Sequence, residues 1–342
     1  MSKLEHLKGK KILFFCVQTF NLEKDLIRQF EKYGAKVTYF DERPSNSILT
    51  KGIIRINRRL MEKKIHAYYK EILIRIKDED FDYLLVNRGE VLPREFLESF
   101  IQIQPKCKRM FYTWDSFENH SNALTILDLF NQRFTFDKQD AKNYKIGFRP
   151  LYFTDRYREV LKCSNIKTID LLFLGTAHSD RYVISSKIAS WCYKNDLNIY
   201  NYYYMQSRLV YFYKVIFDSS FKNFDIRKLS FKSLSIDQII NLYKKSDVIL
   251  DISHPGQSGL TMRTFESIGS GKKLVTTNKN IKDYPFFNPK NILIIDRKSI
   301  RLSKDFFSGK YESLTPELYE RCSIDGWISD IFFGKETNCW TD

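Results

Sequence analysis

Two apolar runs, each followed by helical periodicity and then by further strand-like runs, constrain this chain most. Lys11 to Val17 reads KILFFCV, the unbroken apolar pattern of a strand buried on both faces. Asn21 stands where it can cap a helix carrying Leu22, Leu26, Ile27 and Phe30 at helical spacing, and Gly34 ends it. Lys36–Phe40 predicts a strand, about Arg58 to Lys77 a long helix, and Tyr83–Val86 a strand. Pro93 opens the next helix, Arg109–Thr113 and Arg133–Phe136 are strands, and Gly147 to Phe153 leaves the unit. The pattern restarts at Asp170–Leu174 (DLLFL), with a helix from about Arg181 to Lys194 and a strand at Asn198–Tyr202. Ser235 caps a helix, and Asp247–Ile252, Lys273–Thr277 and Ile292–Ile295 are strands. Helices are expected over Leu260–Ser270 and from about Pro316 to Phe332.

Alternation of this kind requires parallel sheets with helices on both faces. The expected fold class is α/β, two Rossmann-like domains facing across a cleft, with ligands beyond the carboxyl ends of the strands. The expected bounds are 1–155 and 156–315, then a C-terminal helix over 316–333 packing back toward the first domain and a polar tail over 334–342.

Lys and Arg total 56 against 41 Asp and Glu, a formal charge of +15, which favours anionic partners. The cations are spread along the chain, and no helix-turn-helix, zinc-finger or RNA-recognition signature accompanies them, so nucleic acid is not the expected partner. No apolar run approaches the roughly 20 residues that span a bilayer, and the first ten residues are polar. The chain is expected in the cytoplasm, with its six cysteines reduced.

Several familiar patterns fail on position. Gly269-Ser270-Gly271-Lys272 lacks the first glycine of a phosphate loop, has Lys273 where Ser or Thr is needed, and runs from helix to strand. Asp78-Glu79-Asp80 precedes a strand instead of following one, so it reads as a solvated acidic turn. The histidines at 6, 66, 120, 178 and 254 show no metal spacing, and no G-x-S-x-G elbow is present. No metal and no cofactor are expected.

The informative stretch runs from Asp251 to Asn278, DISHPGQSGLTMRTFESIGSGKKLVTTN. A buried strand ends, a Pro-Gly loop follows, and Ser258-Gly259 is expected to open a helix whose free N–H groups suit a diphosphate. Arg263, one turn on, can add a cationic fork, and Glu266 can accept hydrogen bonds from ribose hydroxyls. The same spacing also fits a plain helix-surface ion pair.

This stretch resembles the donor-binding segment of GT-B glycosyltransferases. The chain looks most like bacterial proteins of capsule, exopolysaccharide and lipopolysaccharide biosynthesis. The pieces that carry the likeness are Arg88-Gly89-Glu90, Trp114-Asp115-Ser116, the run from Gly175 to Arg181, and the run from Gly259 to Glu266. Retaining members often carry two glutamates eight positions apart; Glu266 matches one, and position 258 is Ser, which leaves retaining and inverting outcomes both open.

The resemblance implies a metal-independent transferase. The first domain would serve the acceptor, with Glu90 or Asp115 as a base whose pKa burial raises. The second would bind the nucleotide-diphosphate sugar through Gly175, Arg181, His254, Ser258, Gly259, Arg263 and Glu266, with Arg181 neutralising the leaving diphosphate. The acceptor would be a glycan or a lipid-linked sugar. The aromatic and basic segment 203–234, with Arg208, Lys214, Lys222, Arg227, Lys228 and Lys232, would meet an anionic membrane surface, placing the protein at the inner face of the cell membrane. The alternatives are a non-catalytic sugar-nucleotide-binding or glycan-assembly protein of the same fold and, more distantly, a basic nucleic-acid-binding protein.

Overall fold

A computed structural model of the chain describes residues 3–19, 21–163, 167–178, 180–218, 221, 224–336 and 340. It divides into two units, Met1–Pro150 with Ile324–Asp342, and Leu151–Ser323. The first holds β1 (Lys11–Cys16), β2 (Lys36–Phe40), β3 (Tyr83–Asn87), β4 (Lys108–Thr113), β5 (Gln132–Thr135) and β6 (Gly147–Phe148). These form one sheet in the order β2-β1-β3-β4-β5-β6, parallel throughout. The second holds β7 (Ile169–Thr176), β8 (Ile199–Tyr204), β9 (Leu229–Ser230), β10 (Ser246–Asp251), β11 (Lys273–Thr276) and β12 (Ile292–Ile294). Its order is β12-β11-β10-β7-β8-β9, again parallel throughout.

Strand β1 explains why its sequence is uniformly apolar. Ile12 to Cys16 are all fully buried, with a neighbouring strand on each edge and helices over both faces. At about 1.5–3 kcal/mol for each large apolar side chain, this strand anchors the first unit. Strand β10 holds the same place in the second, with Val248, Ile249 and Leu250 fully buried.

The first unit is completed from the far end of the chain. Trp327, on the helix Ile324–Phe333, sits edge-on against Tyr112 of β4 with ring centroids 4.8 Å apart. Arg149 is fully buried, and its Nε lies 2.7 Å from the Asp330 carboxylate. The expected helix over 316–333 is in fact two, Pro316–Arg321 and Ile324–Phe333. It breaks because Ser323 forms a parallel bridge with Phe153, whose N–H donates to the Cys322 carbonyl at 3.0 Å.

Three other elements depart from the periodicity. The pattern from Arg58 to Lys77 divides into a 3-10 turn, Arg58–Met61, and a helix, Glu62–Ile76, after an earlier helix, Ile48–Asn57. The Asn57 side chain accepts the Arg59 N–H there, competing with the helical ladder. Within 203–234 a helix forms over Arg208–Phe217, started by Ser207 accepting the Val210 N–H at 3.2 Å. The helix expected from Leu260 begins at Met262. Cys16, Cys107, Cys163, Cys192 and Cys322 are free thiols, and Cys339 lies outside the described residues. Among the described residues no helix is long and apolar enough to cross a membrane.

Candidate functional site

Strand order fixes where a ligand can sit in the second unit. The order reverses between β7 and β10, whose connections leave in opposite directions and open a crevice at their carboxyl ends. Arg181, the first residue of the helix Arg181–Lys194, lies across that point. Its Nε donates to the Ile252 carbonyl beyond β10 at 2.8 Å, and its Nη1 donates to the Thr176 carbonyl ending β7 at 3.2 Å. Burial, together with the charges of Arg263 and Arg297, pushes its pKa down to about 10 against the opposing pull of Asp251 and Asp180. Gly175, in β7, leaves the room this guanidinium uses: a Cβ there would stand 2.7 Å from the Phe173 ring and 3.4 Å from Nη1. Ser179, within the same run, lies outside the described residues.

Arg263 and Glu266 are brought together with two tyrosines. The Arg263 Nη1 donates to Glu266 Oε2 at 2.6 Å and to the Tyr243 hydroxyl at 2.9 Å, and its Nη2 donates to the Leu174 carbonyl at 3.0 Å. The Tyr243 hydroxyl in turn donates to Glu266 Oε2 at 2.9 Å, and the Tyr157 ring stands 5.0 Å from the Tyr243 ring. This is the ion-pair geometry the spacing allowed, built into the protein as a mostly buried cluster: the two charged side chains are 21% and 13% exposed.

Ser258 and Gly259 do not start the helix. Thr261 stands at its N-cap in an extended conformation. The preceding carbonyls are held from outside: Asn278 Nδ2 donates to Ser258 at 3.3 Å and to Gly259 at 3.2 Å, and Asn280 Nδ2 donates to Ser258 at 3.1 Å. The loop thereby forms a wall of a cavity of about 300 Å³, lined by residues 253–258 and 277–280 with Arg297. His254 lies in that wall, its Nδ1 accepting the Gly256 N–H at 3.3 Å. Its ring stands 5.8 Å from that of His178. Burial and the nearby Arg181 push the His178 pKa down to about 4.

Arg297 gave no signal in the sequence, standing in an ordinary charged stretch, Asp296-Arg297-Lys298, after a strand. Its Nη1 donates to both Asp180 oxygens at 2.8 Å, and its Nη2 donates to the Ser253 carbonyl at 2.5 Å. Asp251, at the end of β10, is 4% exposed, and burial raises its pKa against the pull of Arg181. The crevice thus gathers three arginines from three separate segments.

The first unit holds a second charged cluster beyond β3 and β4. Glu42, fully buried, accepts the backbone N–H groups of Arg88, Gly89 and Glu90 at 2.6, 2.9 and 2.6 Å. Gly89 has φ +77°, and a Cβ there would stand 2.9 Å from the Phe111 ring, so the turn needs glycine. Glu90 pairs with Arg43 at 2.7 Å and with Arg88 at 3.0 Å. Arg88 also reaches Asp115 at 3.3 Å, and the His120 Nε2 lies 3.0 Å from the same carboxylate.

This changes the electrostatic expectation for the two carboxylates. Burial does act to raise both. For Glu90, Arg88 and Arg43 outweigh it; for Asp115, His120, Asn119 and Arg88 do, so both pKa values are lowered. Both groups are ionised at neutral pH, and neither has the raised pKa expected from burial alone. Glu42, Arg43 and His120 were missed in the sequence. His120 follows Asp115 by five positions, and a search for carboxylate–histidine pairs near strand ends would have found it. Asp78, Glu79 and Asp80 are exposed, and among the described residues no group of His, Cys, Asp or Glu is placed to hold a metal.

No family model matches the sequence, and no curated protein does. Solved structures do resemble the fold. The N-terminal domain of Candida albicans trehalose-6-phosphate phosphatase has a TM-score of 0.55 at 9% identity, over 94% of this chain and 95% of that one. Anabaena HepE, solved in complex with UDP and glucose, has a TM-score of 0.54 at 10% identity, over 94% of this chain and 98% of that one. Likeness across nearly the full length of each chain, with two parallel six-stranded sheets, places this protein in the GT-B class of folds.

Proposed function

We propose that this protein is a metal-independent glycosyltransferase that moves a sugar from a nucleotide-diphosphate donor to a glycan or lipid-linked acceptor in bacterial surface polysaccharide biosynthesis, working at the inner face of the cell membrane. The observation that carries the reading is Arg181 fixed across the β7/β10 switch point, with Arg263 and Arg297 near enough to depress its pKa. Fixed cations at such a crevice stabilise the charge that develops on a departing diphosphate without a metal ion. In this reading Glu266, already oriented by Arg263 and Tyr243, accepts from the ribose hydroxyls, while His254, Ser258 and Gly259 line the sugar and phosphate side. HepE, with its bound UDP and glucose, supports the donor class.

On the acceptor side, Asp115 holds the His120 imidazole, which takes the proton of the attacking hydroxyl. Glu90, clamped by Arg43 and Arg88, keeps that arrangement in place. One observation favours the second reading, a sugar-nucleotide-binding protein without transfer activity: both acidic candidates are neutralised by adjacent cations. A thermal-shift screen across UDP, GDP, CDP and TDP sugars tests the binding, and donor hydrolysis separates the two readings. Stabilisation by one nucleotide class with slow hydrolysis is expected. No stabilisation by any of them refutes both.

A further inference from the structure

The helix Arg208–Phe217 is apolar on two faces and uses only one of them. Val210, Tyr211 and Val215 pack against the core of the second unit. Leu209, Phe212, Tyr213, Ile216 and Phe217 face solvent, with exposures of 82, 56, 63, 70 and 70%. At about 100° per residue these five share one arc of roughly 140°, and no charged residue falls within it. Single exposed apolar residues are ordinary; a contiguous set of five on one helix marks a surface that meets another phase or partner.

Cations lie in the same segment. Arg208 begins the helix, its guanidinium 5.8 Å over the Phe231 ring. Arg227 and Lys228 lie on the turn Ile226–Lys228, where Ile226 is itself 39% exposed. The Tyr211 hydroxyl donates to the Phe224 carbonyl at 3.4 Å, tying the helix to the segment that leads into that turn. The acids nearby, Asp218 and Asp225, are engaged by Lys214 and Arg227. Lys222, a further cation of the segment, lies outside the described residues.

We propose that this face docks on an anionic lipid bilayer, with the five side chains at headgroup depth and Arg208 and Lys228 among the lipid phosphates. Ten residues are too few to span a membrane but enough to lie in its interface. A second copy is the poorer occupant, because a self-complementary contact would set one basic segment against another. The proposal names the surface behind the membrane placement given above, and it does not depend on the nucleotide-sugar reading.

Cosedimentation of the full chain with phosphatidylcholine vesicles, with and without phosphatidylglycerol, tests it. Binding to the anionic vesicles that weakens as salt is raised is expected. Phe212→Ser/Phe217→Ser should lower it at least about tenfold, and Arg208→Gln/Lys228→Gln should weaken it and remove most of its salt dependence. Both variants should remain folded by circular dichroism and keep nucleotide binding, so loss of docking reads separately from loss of fold or donor site. Equal binding to neutral and anionic vesicles, or no binding to either, overturns the proposal. So does a wild-type dimer that Phe212→Ser/Phe217→Ser dissociates, which would assign the face to a second copy.

Discussion

Replacing Glu266 by Ala separates the two roles its position allows. Its Oε2 accepts from Arg263 at 2.6 Å and from the Tyr243 hydroxyl at 2.9 Å. Removing one partner of a fully buried ion pair costs about 3–5 kcal/mol. Here 21% exposure of Arg263 lets water compensate in part, so about 2–3 kcal/mol is expected from urea unfolding. If the carboxylate also serves the ribose, calorimetric titration with the stabilising nucleotide should show a further loss of about 1.5–3 kcal/mol, roughly a ten- to hundredfold weaker Kd. Tyr243→Phe is the control. Tyr243 is fully buried and supplies one hydroxyl to the same cluster, so its loss should cost about 1 kcal/mol of stability and leave nucleotide affinity within a factor of about two. A Glu266→Ala protein that is destabilised yet binds nucleotide like the wild type would show that the carboxylate is only a counterion for Arg263, and the donor assignment would fall.

Sugar transfer should survive EDTA; loss of turnover restored by Mn²⁺ or Mg²⁺ would point back to Asp78 and Asp80. Asp330→Asn removes a carboxylate that pairs with the fully buried Arg149 and should cost about 1.5–3 kcal/mol in urea unfolding, against less than about 1 kcal/mol if the pair is dispensable. His178 is held near pKa 4 in the folded chain and titrates near 6.5 when free. The unfolded chain therefore takes up a proton that the native chain refuses, and stability falls as pH drops from about 6.5 to about 4. His178→Gln should flatten that slope in urea midpoints taken across this window; an unchanged slope refutes the assignment.

The parts legible in sequence were those with a local signature. KILFFCV announced a doubly buried strand, and Ser235 caps its helix as read, with Gln238 completing a reciprocal capping box. The restart near Asp170 correctly implied a second sheet. Features set by distant partners were not legible. The start at Met262 depends on Asn278 and Asn280 holding the Ser258 and Gly259 carbonyls, and the break before Ile324 depends on Phe153. The helix Arg208–Phe217 was hidden for a different reason: it is apolar on both faces, so its sequence lacks the polar stripe by which periodicity is recognised. The site divides in the same way. Arg181, Arg263 and Glu266 sit at readable strand and helix ends, whereas Arg297, Glu42 and Arg43 reach their clusters through tertiary contacts alone.

The return of Ile324–Phe333 to the first unit sets an order on synthesis. The six strands of that unit are all made by Phe148, yet Tyr112 and Arg149 cannot meet Trp327 and Asp330 until the whole of the second unit has been translated. At roughly 5–20 residues per second the delay is on the order of ten seconds or more. Through that interval the nascent first unit carries an uncovered aromatic surface and a guanidinium that has yet to meet the Asp330 carboxylate. The second unit, one continuous segment from Leu151 to Ser323, meets no such delay. Folding on the ribosome should therefore finish out of sequence order, with the first unit closing last.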